Sequence, residues 1–268
     1  MSSTPQPKPR LIALDMDGTL LDPQGRIPER FWPVLRRAKE QGVIVAPASG
    51  RQLATLQAMF KQDTPEAFIA ENGATVARGG RIVSTTTLPE APVRRLLERL
   101  PDAPFTAHAV VCAPEVAYTL ELPAAINAEV DKYYASRAKV QSLIDAPLAT
   151  IIKIALYVES DAERDAYPWV RDTVPELTSV VSGTHWLDVM HPEASKGRAL
   201  TQLAASLGID AAETAAFGDY LNDYALLQAA GYAVAVGNAH ADLKAIADEV
   251  VGTNAEHAVV HKLEEWLR

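Results

Sequence analysis

Four short polar segments, each following an expected strand, constrain this chain more than any other feature. The first apolar run, residues 11–14, stops abruptly at Asp15. It reads as a strand buried on both faces, the kind found in parallel sheets. Pro28 then starts a helix expected over residues 28–41, which Gly42 ends. Residues 43–46 form a second buried strand, 52–59 a helical stretch and 67–70 a third strand. This alternation implies right-handed βαβ units on a parallel sheet. In open sheets of this kind ligands bind beyond the carboxyl ends of the strands, where these polar segments fall.

The middle of the chain reads differently. Residues 75–77 and 81–84 flank Gly79-Gly80 as a hairpin. Strands are expected at 106–112, 116–120, 151–158 and 177–182, and helices at 124–137 and 161–173. The first pattern then resumes, with strands at 186–190, 214–217 and 233–236. Helices are expected at 196–207, capped by Ser195, and at 241–247 and 258–268. The reading is therefore α/β: a Rossmann-like parallel-sheet core domain with an inserted α+β domain. Its bounds are a disordered tail at 1–10, the core at 11–87 and 184–268, and the insertion at 88–183.

Composition excludes several function classes. The formal net charge of −9 opposes general binding to nucleic acid or anionic membrane, which needs basic patches. No apolar run reaches membrane-spanning length. The single cysteine, Cys112, cannot form an internal disulfide and lies in an apolar strand. A cytoplasmic location is expected.

The polar segments carry the chemistry. Asp15-Met16-Asp17-Gly18-Thr19-Leu20 puts two carboxylates two residues apart after a buried strand. Such a carboxylate is a nucleophile, a metal ligand or both, where an isolated pair would be an ordinary acidic turn. Ala48-Ser49-Gly50-Arg51 offers a hydroxyl and backbone N–H groups for a phosphate, or else an N-cap. Arg51 divides evenly between substrate contact and structural pairing. Lys196, in Ser195-Lys196-Gly197, opposes the dipole of the helix it opens, which a bound phosphate beside a carboxylate would offset; a solvated surface lysine is the alternative. Gly218-Asp219-Tyr220-Leu221-Asn222-Asp223 crowds carboxylates in one loop. It is either a helix start rich in Asp and Asn, or a site for a hard divalent ion such as Mg²⁺.

Taken together, Asp15-x-Asp17-Gly18-Thr19, Ser49, Lys196 and Gly218-Asp219-x-x-Asn222-Asp223 resemble the haloacid dehalogenase superfamily. Glu71-Asn72-Gly73-Ala74 and the long insertion between Ser49 and Lys196 resemble its Cof-type branch, with a C2-type cap domain. Ser49 stands where many relatives carry Thr, and Ala194 where many have glycine. The resemblance implies that Asp15 is the nucleophile and a Mg²⁺ ligand. It implies that Asp17 is the general acid and base, offering its backbone carbonyl to the metal. Ser49, the Gly50 N–H, Lys196 and Asn222 would hold phosphate, and Asp219 and Asp223 would bind metal. The function so implied is a Mg²⁺-dependent phosphatase acting on a small phosphorylated metabolite (sugar phosphate, nucleotide or phosphorylated cofactor) through an aspartyl-phosphate. The alternatives are a phosphomutase or a non-catalytic phosphate sensor. Residues 88–183 would then close over the site and select the substrate.

Overall fold

The computed structural model describes residues 8–268, which fall into two compact units. One comprises residues 8–50, 56–83 and 195–268; the other comprises 51–55 and 84–194. The chain opens with β1 (Leu11–Asp15), α1 (Phe31–Glu40), β2 (Ile44–Ala48), α2 (Leu53–Met59) and β3 (Ala67–Ala70). A hairpin of β4 (Thr75–Arg78) and β5 (Arg81–Thr85) follows. The second unit carries α3 (Glu90–Arg99), β6 (Ala107–Cys112), β7 (Ala117–Thr119), α4 (Ala124–Asp131) and β8 (Arg137–Lys139). It continues through β9 (Lys153–Val158), α5 (Tyr167–Thr173), β10 (Thr178–Gly183) and β11 (Trp186–Met190). The first unit then resumes with α6 (Lys196–Leu207), β12 (Thr214–Gly218), α7 (Tyr224–Ala229), β13 (Tyr232–Ala235), α8 (Ala241–Ile246), β14 (Glu249–Val250) and α9 (Ala258–Trp266).

The first unit is a mixed α/β fold on one sheet of order β14-β13-β12-β1-β2-β3-β4-β5. All pairs from β14 to β3 are parallel, and β4 turns back antiparallel on β3. Every residue of β1 and β12 is buried, as strands covered on both faces must be. The chain lays β2 and β3 on one side of β1 and returns to lay β12 and β13 on the other. The strand order therefore reverses between β1 and β12, the place where open sheets bind ligands. Phe31, Trp32, Phe60 and Phe68 pack edge-to-face at 5.7–6.2 Å between ring centres, an arrangement favoured by the ring quadrupoles.

The second unit is built on a sheet of order β10-β11-β9-β6-β7-β8, antiparallel except for β7 with β8. Alternate residues Ile154, Leu156 and Val158 of β9 and Leu187 and Val189 of β11 share a core with Val93 and Leu96 of α3 and Val170 of α5. The intervening residues place Lys153 and Asp188 together on the opposite face, both buried, 3.8 Å apart.

Three expectations from sequence are corrected. The strand at 186–190 was expected in the core domain from residue 184, but β11 pairs antiparallel with β9 and β10 in the second sheet. Its alternation of buried Leu187 and Val189 with Trp186 and Asp188 is the period-two pattern of a strand with two different faces. The first unit resumes only at Ser195, and residues 84–87 also fall in the second unit. The helix expected over 124–137 stops at Asp131, and residues 137–139 form β8 instead. Of the tail expected at 1–10, residues 1–7 lie outside the described residues. Pro9 is buried, and Arg10 donates its N–H to Glu213 O at 2.7 Å while its carbonyl accepts from Ile44 N at 2.8 Å.

Candidate active site

Sheet register brings the sequence-distant segments to one edge. Leu14 lies beside Phe217 and Asp15 beside Ala48. The carboxyl ends of β12, β1 and β2 therefore align, with Asp219 and Ser49 one residue past the neighbours of Asp15. Gly18, at φ +81°, turns the chain after Asp17, and a side chain there could not fit: a Cβ would sit 2.1 Å from Asp219 Oδ2. The Gly18 carbonyl accepts from Asn238 Nδ2 at 2.8 Å. Gly218 meets the Asp223 side chain in the same way, its Cβ position lying 2.6 Å from Asp223 Cβ.

Lys196 enters from the first residue of α6, whose start is capped by the Ser195 side chain accepting from Arg198 N. Gly197 lets α6 approach α7, since a Cβ there would lie 2.1 Å from the Ala225 carbonyl oxygen. The lysine is buried, and its Nζ donates to Asp15 Oδ1 and to Asp223 Oδ1, each at 2.6 Å. Asp223 Oδ2 accepts from the Asp219 N–H at 3.2 Å. Carboxylate oxygens of Asp15, Asp219 and Asp223 all lie within 4.8 Å of one another.

The electrostatics follow from burial and crowding. Burial pushes the Asp15 carboxyl well above the usual range; Asp223 and Asp219 add to this, and Lys196 opposes it. Burial and the Asp223 charge push Asp219 up to about 6, and Asp17 contributes in the same direction. Burial would lower the Lys196 pKa, but Asp15 and Asp223 outweigh it and the net movement is upward. Lys196 is therefore an ammonium at neutral pH.

These residues fit a divalent cation. Three carboxylates, if ionised, face one ammonium, an excess of two negative charges. Asp15 Oδ2 is buried without a hydrogen-bond partner, although its other oxygen is held by Lys196. An all-oxygen donor set with that charge suits a hard ion.

The remaining sequence-selected residues are placed as follows. Asp17 is exposed two residues past Asp15, and Asn222 is exposed on the loop between Asp219 and Asp223. Ser49 is buried and Gly50 half-buried directly after β2. Arg51 belongs to the second unit, where its guanidinium lies 5.4 Å from the Tyr133 ring centre and donates to Lys132 O at 3.4 Å. Sequence reasoning missed Asn238, which fixes the Gly18 carbonyl. The signal was available: Gly237-Asn238 follows an apolar strand, as the other polar segments do.

The chain matches a family model described as haloacid dehalogenase-like hydrolase over residues 12–263. It is 31% identical to the phosphatase YwpJ of Bacillus subtilis, the alignment covering 96% of this chain and 100% of that protein. It is 29% identical to the 5-amino-6-(5-phospho-D-ribitylamino)uracil phosphatase YbjI of Escherichia coli, covering 97% and 96%. With an HMP-PP phosphatase of Cronobacter sakazakii it shares 30% identity, covering 96% of each. The solved structure of a haloacid dehalogenase-like hydrolase from B. subtilis superposes with a TM-score of 0.81 at 29% identity, covering 95% of this chain and 99% of that one.

Proposed function

The chain belongs to the haloacid dehalogenase-like hydrolases and is a phosphoric monoester hydrolase; on that premise we propose that it is a Mg²⁺-dependent phosphatase of small phosphorylated metabolites, working through an aspartyl-phosphate on Asp15. The observation that carries this reading is Lys196, buried between Asp15 and Asp223 at 2.6 Å from each. A buried ammonium so placed favours the ionised form of Asp15 against the desolvation that raises its pKa, and it offers positive charge where a phosphoryl group would meet the nucleophile.

Asp15, Asp219 and Asp223, with the Asp17 backbone carbonyl, would hold the metal. When bound, the ion would supply positive charge against the equatorial phosphoryl oxygens. The chain's own groups account for the bond changes. An Asp15 carboxylate oxygen attacks phosphorus and the bond to the leaving oxygen breaks. Asp17, exposed beside the nucleophile, gives that oxygen a proton. The Asp17 carboxylate then takes a proton from water as the water oxygen attacks phosphorus. The Asp15–phosphorus bond breaks, and inorganic phosphate leaves. Ser49 Oγ, the Gly50 N–H, Lys196 and Asn222 hold the phosphoryl oxygens. Phosphoryl transfer asks mainly for such positioning and charge stabilisation.

The substrate class is a sugar phosphate, nucleotide or phosphorylated cofactor. The test is phosphate release from a panel of such metabolites by the purified protein with Mg²⁺. The compounds named for the relatives, a phosphoribitylamino-uracil and HMP-PP, belong in it. Release above background from at least one member supports the reading; none from any member, with metal present and the protein folded, overturns it.

A further inference from the structure

The turn Glu71–Gly73 takes no part in the chemistry above, yet its backbone is the least ordinary among the described residues. Glu71, Asn72 and Gly73 have φ of +52°, +54° and +93° in succession. Among the described residues only one other non-glycine, His257, has a positive φ. Left-handed non-glycine residues persist only where the surroundings over-determine them, and they collect at functional sites. Here the surroundings are the two segments assigned to phosphate. The Asn72 N–H donates to Ser49 O at 2.9 Å, and the Ser49 N–H donates to Ile69 O at 2.9 Å. The Asn72 side-chain amide lies against Gly50, since a Cβ there would be 3.0–3.3 Å from its atoms. Gly73 lies against the other segment: a Cβ on it would sit 2.2 Å from Ser195 O, the carbonyl preceding Lys196. Asn72 is only 7% exposed, and its Oδ1 has no protein hydrogen-bond partner.

We propose that Asn72 is a positioning residue for the phosphate site: through its N–H and its amide it holds the Ser49–Gly50 peptide, while Gly73 sets the distance from that peptide to Lys196. Three successive left-handed residues double the chain back tightly enough for one short turn to touch both segments. Asn tolerates that conformation better than most residues, and glycine alone fits where the Ser195 carbonyl presses. A shift of the Ser49–Gly50 peptide by a fraction of an ångström would misalign its donors with the phosphoryl oxygens. The inference rests on the phosphatase reading above.

The experiment uses Asn72→Gly, which keeps the left-handed backbone and removes the amide. Turnover of p-nitrophenyl phosphate with Mg²⁺, competitive inhibition by inorganic phosphate, and thermal melting are measured together. The expected result is a fall of about a hundredfold in kcat/KM and a rise of about tenfold in the inhibition constant for phosphate, from protein that still melts cooperatively. Gly208→Ala is the control. It imposes strain at φ +62° on the end of α6, with no atom crowding the new Cβ. It should lower the melting temperature and leave phosphate inhibition unchanged. Asn72→Asp is the second variant, used also if Asn72→Gly does not fold. It keeps the shape but sets a carboxylate beside Gly50, and it should weaken phosphate inhibition increasingly as pH rises. Wild-type inhibition constants in either Asn72 variant overturn the positioning role while leaving the phosphatase reading intact. A wild-type protein that neither turns over nor binds phosphate overturns both.

Discussion

Lys196 Nζ stands 2.6 Å from Asp15 Oδ1 and 2.6 Å from Asp223 Oδ1, and all three side chains are buried. One ammonium thus holds two carboxylates that would otherwise repel at close range in a poorly solvated place. Removing one member of such a group leaves uncompensated charge, which costs about 3–5 kcal/mol. Lys196→Met should destabilise the metal-free protein by about that amount at neutral pH, read by urea denaturation. The loss should shrink as the pH falls and Asp15, whose carboxyl is pushed well above its ordinary range, protonates. Equal stability of Lys196→Met and wild type at neutral pH would count against the ion pair as structured here.

Asp15→Asn separates chemistry from stability. Burial already disfavours the ionised form of Asp15, and the Asp223 charge adds to the effect. A neutral amide of the same shape relieves both, so the variant should melt no lower than about the wild type. Its phosphate release should fall by several orders of magnitude, about a thousandfold or more, because the amide is no nucleophile. Near-normal release by folded Asp15→Asn would remove Asp15 from its assigned role.

Asp219 gives a pH dependence with a definite sign. Its ordinary value is 3.8 and in the fold it is pushed up to about 6. Between those values the folded protein holds more protons than the unfolded chain, so this group's contribution to stability falls as pH rises. Above about 6 the carboxylate is ionised and ready for a cation. Without metal, the melting temperature of wild type relative to Asp219→Asn should decline from about pH 4 to about pH 6.5. Added Mg²⁺ should reverse the decline and bind more weakly below about pH 6, where protons compete for the same oxygen. A difference between the two proteins that is flat across that window, with and without metal, would contradict the proposed ligand role.

The parallel core was legible because β1, β2, β3 and β12 are short, continuously apolar and end in polar residues, a pattern with few other readings. Asp15, Asp17, Asp219 and Asp223 stood out for the same reason: each follows such a run. The bridge made by Lys196 was not legible. It joins residues 181 and 27 positions apart, and single-sequence pattern cannot supply contacts at that range. Strand β11 was visible as a strand but assigned to the wrong sheet, since strand pairing is a tertiary choice. Helix α3 went unseen although Val93, Leu96 and Leu97 have helical spacing. The segment is rich in charge and proline, which masks a short amphipathic stripe.

The second unit carries its own test. Lys153 and Asp188 are buried together, and burial raises the Asp188 pKa while Lys153 opposes it. Lys153 also sits 5.3 Å from the Tyr134 ring centre. Asp188→Ala takes the carboxylate from beside the buried Lys153 and should cost up to about 3–5 kcal/mol, whereas joint replacement by Lys153→Met and Asp188→Leu should recover most of that loss. Calorimetry of the two variants checks the order. A double variant less stable than Asp188→Ala would mean that the pair is worth more than its desolvation.

The last prediction separates a phosphatase from a phosphomutase. Both would form phospho-Asp15, and both would need Asp17 and a divalent ion. They differ in what attacks the intermediate. A mutase must retain its sugar, exclude water and present a second hydroxyl, and it needs a second place to hold a phosphate while the intermediate turns over. Among the basic residues of the second unit, Arg94 pairs with Glu90, Arg95 with Glu176, Arg137 with Asp131 and Lys139 with Glu121, while Arg99 lies over the Trp169 ring, 5.8 Å from its centre. The four paired cations would each first have to give up a carboxylate to take up another phosphate. Asp17 is exposed two residues past Asp15. Water is therefore the expected acceptor. In a single turnover in ¹⁸O-enriched water, the released phosphate should carry one labelled oxygen from attack at phosphorus, and Asp15 should carry none. Return of the phosphoryl group to a second sugar hydroxyl, with little labelled phosphate, would make the protein a mutase.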